Sequence, residues 1–152
     1  MLLSELLTPG RVRVPLAGRS KDAVLEELVD VLREAGAVDD PDHVLEAVRQ
    51  REAQLSTGVG GGVAIPHGKA EGISALAVAA GVTRQPIDFE ALDGRPVQLF
   101  FLLVGPAEAA GAHVQALAGI SRLVRQGDLR ARLCAAASAE EFLAVVASAE
   151  AA

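Results

Sequence analysis

The chain has 152 residues, 51% of them apolar and 22% charged, with a formal net charge of −6. That length and balance describe one globular domain, residues 1–152, able to bury a core without disulfides or metal, and they exclude a disordered chain. The negative charge, with no Lys/Arg run to offset it, argues against nucleic acid and anionic membranes as partners, and four Phe with no Tyr or Trp leave little for base stacking.

The amino-terminal stretch MLLSELLTPGRVRV is apolar but carries Glu5 and lacks a basic start, so it does not read as a signal peptide. No apolar run approaches the roughly 20 residues of a bilayer span, so no stable membrane insertion is expected. A single cysteine, Cys134, forms no internal bridge and reads as a small buried helix residue. A reducing cytoplasm is the expected compartment.

Arg11 to Leu16 alternates apolar and basic residues and predicts a short strand, with Pro15 favouring a sheet edge. Gly18 and Ser20 then open a helix whose Ala23, Val24, Leu28, Val31 and Leu32 recur at helical spacing, stopped by Gly36. Asp40 as N-cap with Pro41 after it starts a second helix. Its expected inner stripe is Val44, Leu45, Val48 and Leu55, with Arg51 and Glu52 on the last turn and His43 a solvated residue on the first.

A glycine-dominated loop, Gly58 to Gly62, follows, then a short apolar strand, Val63 to Ile65. Pro66 cannot donate to a sheet ladder, so it is expected to end that strand and leave His67 at its rim. Ala75 to Val82 has strand length, and Thr83 to Pro86 is expected to turn away from it. After a turn at Asp93-Gly94, Pro96 to Val104 is continuously apolar and reads as a central strand buried on both faces. Beyond Gly105-Pro106, a helix over Ala112 to Arg125 should turn Val114, Leu117, Ile120, Ser121 and Val124 inward, with Gly127 as its stop. A shorter helix starts at Asp128, and Ser138 with Glu141 makes a capping box for the last, through Phe142, Val145 and Val146. This order of elements predicts an α/β fold: a central sheet with α-helices packed on it.

The chemistry concentrates between Arg51 and Lys69. A helix end, a loop of bare N–H groups and one fixed imidazole can hold an anion against a nucleophilic nitrogen, which suggests a phosphate-handling histidine. GVGGGV fails the dinucleotide fingerprint because Val63 stands in its last glycine position, and Ala70 stands where a P-loop needs Ser or Thr. Taken alone, the glycines fit a tight connection equally well. His43, His67 and His113 are too widely spaced for a zinc site. Ser56 and Thr57 raise nucleophilic hydroxyl chemistry, but no G-x-S-x-G elbow accompanies them; local hydrogen bonding or donation to a bound anion is simpler. Arg51 offers a planar guanidinium for phosphate oxygens, or else a surface ion pair with Glu52 or Glu46. His113 either meets His67 across one cleft or is a surface imidazole at a helix start, and the pattern alone favours the surface.

The combination R-E-x-x-L-S-T-G-x-G-x-G-x-A-I-P-H-G, with H-V-x-x-L-x-x-I-S-R-L about 45 residues later, resembles the fructose/mannitol/nitrogen class of enzyme IIA domains of the bacterial phosphoenolpyruvate-dependent phosphotransferase system. The resemblance covers nearly the whole chain and implies a mixed central sheet flanked by α-helices. It implies His67 as phosphoryl acceptor, with HPr or an HPr-like carrier as donor. His113 matches the second histidine, Arg51 the site arginine, Glu52 its acidic neighbour and Thr57 the nearby hydroxyl. Ser56, Gly58, Gly60 and Gly62 complete the expected phosphate cradle, and no cofactor or metal is implied. The loop 60–63 and the loop 105–112 are the expected docking rim. The partner downstream is a separate IIB component or a regulated protein. The GVGGGVAIPHGK spelling and the short chain favour the nitrogen-regulatory kind over a fructose or mannitol carrier.

Overall fold

A computed structural model describes residues 2–108 and 110–151. Residues 1, 109 and 152 of the expected domain, and with residue 109 part of the expected 105–112 rim, lie outside the described residues. In chain order the elements are α1 (Leu3–Leu6), a 3-10 turn (Pro9–Arg11), β1 (Val12–Leu16), α2 (Lys21–Glu34), α3 (Pro41–Gln54), β2 (Gly58–Gly60), β3 (Val63–Ala64), β4 (His67–Lys69), β5 (Ala77–Ile87), β6 (Val97–Gly105), α4 (Ala110–Val124), α5 (Gly127–Cys134) and α6 (Ala139–Ala151).

β6 organises the sheet because it has no polar face to leave in water. Leu99, Phe101 and Leu103 pack toward α4–α6, Phe100, Leu102 and Val104 toward α2 and α3, and all six are fully buried. Each such side chain contributes about 1.5–3 kcal/mol relative to exposure. The strand order is β1-β5-β6-β3-β2, with β4 also paired to β6. β5 runs antiparallel to β6, whereas β3 and β4 run parallel to it, so the sheet is mixed. β1, with Pro15, is indeed an edge strand.

The helix starts follow their caps. Ser20 Oγ accepts the Ala23 N–H at 3.2 Å and Asp40 the His43 N–H at 3.2 Å. At α6, Ser138 accepts the Glu141 N–H while the Glu141 carboxylate takes the Ala137 N–H, both at 3.1 Å. α1, which the sequence pattern did not announce, is held from the far end of the chain. The Glu150 carboxylate accepts the N–H groups of Leu3 and Ser4, at 2.5 and 2.9 Å.

Several boundaries differ from expectation. β5 does not turn at Thr83–Pro86 but runs to Ile87 through a register irregularity, which tolerates the missing N–H of Pro86. Leu55 is not part of an inner stripe; it caps α3 and is 58% exposed. In α4 the buried face is His113, Ala116, Ile120, Leu123 and Val124, and Val114 is exposed. That stripe is rotated by one residue from the expected one, because a polar His113 occupies an inward position. Gly127 is the first residue of α5 rather than the stop of α4.

Candidate active site

Pro66 interrupts one edge line without ending it. Ile65 N–H donates to the Thr57 carbonyl, and the Pro66 carbonyl accepts the Leu103 N–H at 3.0 Å. The chain then rejoins β6 as β4, with His67 opposite Leu103, so His67 begins a strand rather than following one. The Ile65 carbonyl accepts a hydrogen bond from His67 Nδ1 at 2.9 Å. A carbonyl has no proton to give, so in the neutral ring Nδ1 carries the hydrogen and Nε2 keeps its lone pair.

Strand alternation aims the ring. A Cβ at Gly68 would stand 3.1 Å from Val48 of α3, so Gly68 faces α3 and His67 faces the opposite layer. There it meets His113, in the first turn of α4, with ring centroids 5.4 Å apart and planes at 67°. His113 is only 5% exposed. Burial, reinforced by the charges of His67 and Lys69, pushes its pKa down to about 4, so its ring is neutral at pH 7. Its Nδ1 is buried with no hydrogen-bond partner, the one such side-chain atom among the described residues. A buried polar atom left unpaired costs stability, and such sites in native proteins commonly mark function. The cleft reading of His113 therefore holds over the surface reading.

The rest of the expected cradle has other partners. Glu52 is buried, and its two oxygens accept the Thr57 N–H at 3.0 and 2.9 Å. Glu52 Oε1 also takes the Thr57 hydroxyl at 3.1 Å and lies 3.3 Å from Lys21 Nζ. Ser56 donates its hydroxyl to the Phe89 carbonyl at 3.3 Å and accepts the Gly58 N–H at 3.1 Å. These groups fix the turn from α3 into β2, and neither hydroxyl is placed as a nucleophile.

The glycines lie still further from His67. Gly60 pairs with Val63, which stands opposite Leu99 on β6, four residues from Leu103. At about 3.3 Å per residue that is about 13 Å along the strand. Gly60, Gly61 and Gly62 have φ of 104°, 66° and 81°, so they make a hairpin tip that side-chain-bearing residues adopt only under strain. Gly61 N–H donates to Asp93 at 3.2 Å. A Cβ on Gly58 would collide with Ala91 at 2.7 Å, so that glycine serves close packing. As placed here, Gly58, Gly60 and Gly62 form no cradle at His67, and Val63, 1% exposed, is no part of a docking rim.

Arg51 stands apart from both groups. α3 runs against β4, because Ala47–Val48 lie over Gly68 while His43–Val44 share a cleft with Gly72–Ile73. Arg51 is thus one turn toward the His67 end, and its Nη1 donates to the Leu55 carbonyl at 2.9 Å. Sequence reasoning missed Lys69. It sits two residues after His67 on the same strand face, and strand period alone would have found it once β4 was recognised. Among the described residues no group of three or more His, Cys, Asp or Glu side chains could hold a metal ion, and no helix is long and apolar enough to cross a membrane.

A mixed α/β sheet here presents an edge-strand histidine with a free Nε2, backed by a buried neutral histidine. The chain belongs to the family described as "Phosphoenolpyruvate-dependent sugar phosphotransferase system, EIIA 2", whose sequence model matches residues 5–149. It is 37% identical over 95% of its length to a nitrogen regulatory protein of Pseudomonas aeruginosa, covering 94% of that protein. It is 34% identical over 96% of its length to the fructose-specific EIIABC component of Bacillus subtilis, but spans only 23% of that larger protein. The crystal structure of the nitrogen regulatory protein IIA-Ntr from Neisseria meningitidis superposes with a TM-score of 0.87 at 35% identity, covering 95% of this chain and 98% of that one.

Proposed function

We propose that this protein is a phosphohistidine relay component that accepts a phosphoryl group on His67 Nε2 from HPr or an HPr-like carrier in the cytoplasm. The observation that carries this reading is the Nδ1–H bond to the Ile65 carbonyl, which leaves Nε2 as the free nucleophile beside a neutral His113. The Nε2 lone pair forms the new N–P bond as the donor's N–P bond breaks, and the leaving pair returns to the donor imidazole. The His67 Nδ1 proton stays on its hydrogen bond throughout.

Phosphoryl transfer passes through a loose transition state, so the protein's task is alignment and stabilisation of the equatorial oxygens. His113 is set to do this. A phosphoryl group next to it favours the protonated ring, so its pKa rises as the charge arrives. Arg51 is proposed to exchange the Leu55 carbonyl for a phosphoryl oxygen. Neither Glu52 nor Thr57 needs to move; they hold the turn that precedes Ile65.

The nitrogen-regulatory kind is the preferred role, supported by near full-length similarity to proteins so named. Its phosphorylation state would then govern binding to a regulated protein. The second reading, a fructose- or mannitol-type carrier passing phosphate to a IIB component, is supported by the similarity to the fructose-specific relative. Incubation with enzyme I, HPr and phosphoenolpyruvate, followed by intact mass, tests the relay. One acid-labile phosphoryl group, absent in His67→Ala, is expected; an equally labelled His67→Ala overturns the site. Rapid transfer onward to a IIB component would select the second role.

A further inference from the structure

β4 carries two side chains toward α4, not one. His67, Gly68 and Lys69 stand opposite Leu103, Val104 and Gly105 of β6. Gly68 faces α3, so Lys69 shares the face of His67. Gly105, the partner of Lys69, has no side chain, and a Cβ there would lie 3.9 Å from His113 Nδ1. His67 and Lys69 therefore bracket His113 along one strand edge. Their Cα atoms are about 7 Å apart, a span that a four-carbon ammonium side chain covers.

Several cations near the sheet are committed. Arg13, Lys21, Arg33 and Arg49 are held in ion pairs, and Arg51 and Arg130 donate to carbonyls. Lys69 is exposed and, among the described residues, has no carboxylate in ion-pair contact. An ammonium left unpaired beside an acceptor histidine is an anion-binding group whose anion arrives with the reaction.

We propose that Lys69 is a further phosphoryl-binding residue: its Nζ contacts the oxygens of the group on His67 and holds them between itself and His113. The proposal rests on His67 as acceptor. In the unphosphorylated protein the same charge helps to keep His113 neutral, so one side chain serves both states. Because Lys69 is exposed, its effect is screened by salt, unlike that of a packing residue.

The test uses two donors on the whole protein: phosphorylated HPr, and phosphoramidate, a small P–N compound that needs no docking surface. Lys69→Gln is expected to slow labelling of His67 by about tenfold with both donors, Lys69→Arg to retain most of the rate, and the gap to narrow as salt rises. NMR titration of His113 should show its pKa higher in Lys69→Gln than in the wild type. Wild-type and Lys69→Gln rates within twofold of each other, with both proteins labelled on His67, overturn the Lys69 role and leave the His67 reading standing. A slowed variant that Lys69→Arg does not rescue, with the His113 pKa unchanged, also overturns it. A wild type labelled by neither donor overturns the His67 reading, and this one with it.

Discussion

The turn from Glu52 to Gly62 and the pair His67–His113 are both polar and both partly buried, yet they are finished to different degrees. In the turn, Glu52, Ser56, Thr57 and Gly61 each have a protein partner at hydrogen-bond distance. At the pair, His113 Nδ1 is buried without one, and His67 has a single bond that leaves Nε2 free. A polar cluster that satisfies itself has little left for a ligand, and it stabilises the fold. One that does not is held in an unfavourable state by the surrounding packing, and a ligand that completes it gains from the outset. The difference separates scaffold from chemistry where residue type does not.

Four substitutions press on that comparison. The largest effect is expected at His67→Ala, which should abolish phosphoryl acceptance by intact mass while the denaturation midpoint barely moves. A large loss of stability there would place His67 with the scaffold. Glu52→Gln should do the reverse. It weakens the charge-assisted bonds to Thr57 and leaves Lys21 facing a neutral amide, at a cost of about 3 kcal/mol in urea unfolding. The labelling rate per folded molecule should stay near that of the wild type, and a selective loss of rate would make Glu52 part of the reaction.

His113 gives a pH signature. Its pKa falls from an ordinary 6.5 to about 4 on folding, so between those values the unfolded chain binds a proton that the native ring refuses. Stability should therefore drop as pH falls through that window, by up to about 3 kcal/mol from this group. In His113→Gln that part of the acid slope should vanish, and identical slopes would contradict a buried neutral ring. The smallest effect is expected at Gly61→Ala, where φ of 66° costs a side chain about 1 kcal/mol. Labelling should be unaffected, since the hairpin tip is remote from His67; a slowed reaction would bring the glycines back to the phosphate.

How much of this was legible in the sequence follows from how far each signal reaches. VQLFFLLV announced a strand buried on both faces because the signal lies within one element. The caps at Ser20, Asp40 and Ser138 were local as well, and each formed. The direction of the glycine loop was not local. It depends on which residues of β6 pair with Val63 and with His67, and nothing in GVGGGVAIPHGK states that register. Glu52 looked like a neighbour of Arg51, but its partners include Lys21, brought in only when α2 packs on α3. His113 is hidden by its own polarity: a polar side chain signals an outward position, which shifts the expected α4 stripe by one residue and places Val114 inward. Lys69 is not legible because Pro66 reads as the end of a strand, whereas the chain rejoins β6 as β4. The family resemblance supplied the importance of His113, and the structure supplied its burial.

The clasp between Glu150 and the first turn of α1 has a consequence for architecture on a larger scale. Because Leu3 and Ser4 lie within hydrogen-bond reach of a side chain near residue 150, tethers leaving from either end of this unit depart from the same corner. A neighbour joined before it or after it would search nearly the same volume of space. Gene fusion in either order is therefore geometrically equivalent, and the unit can be spliced into longer polypeptides without rerouting the path between them.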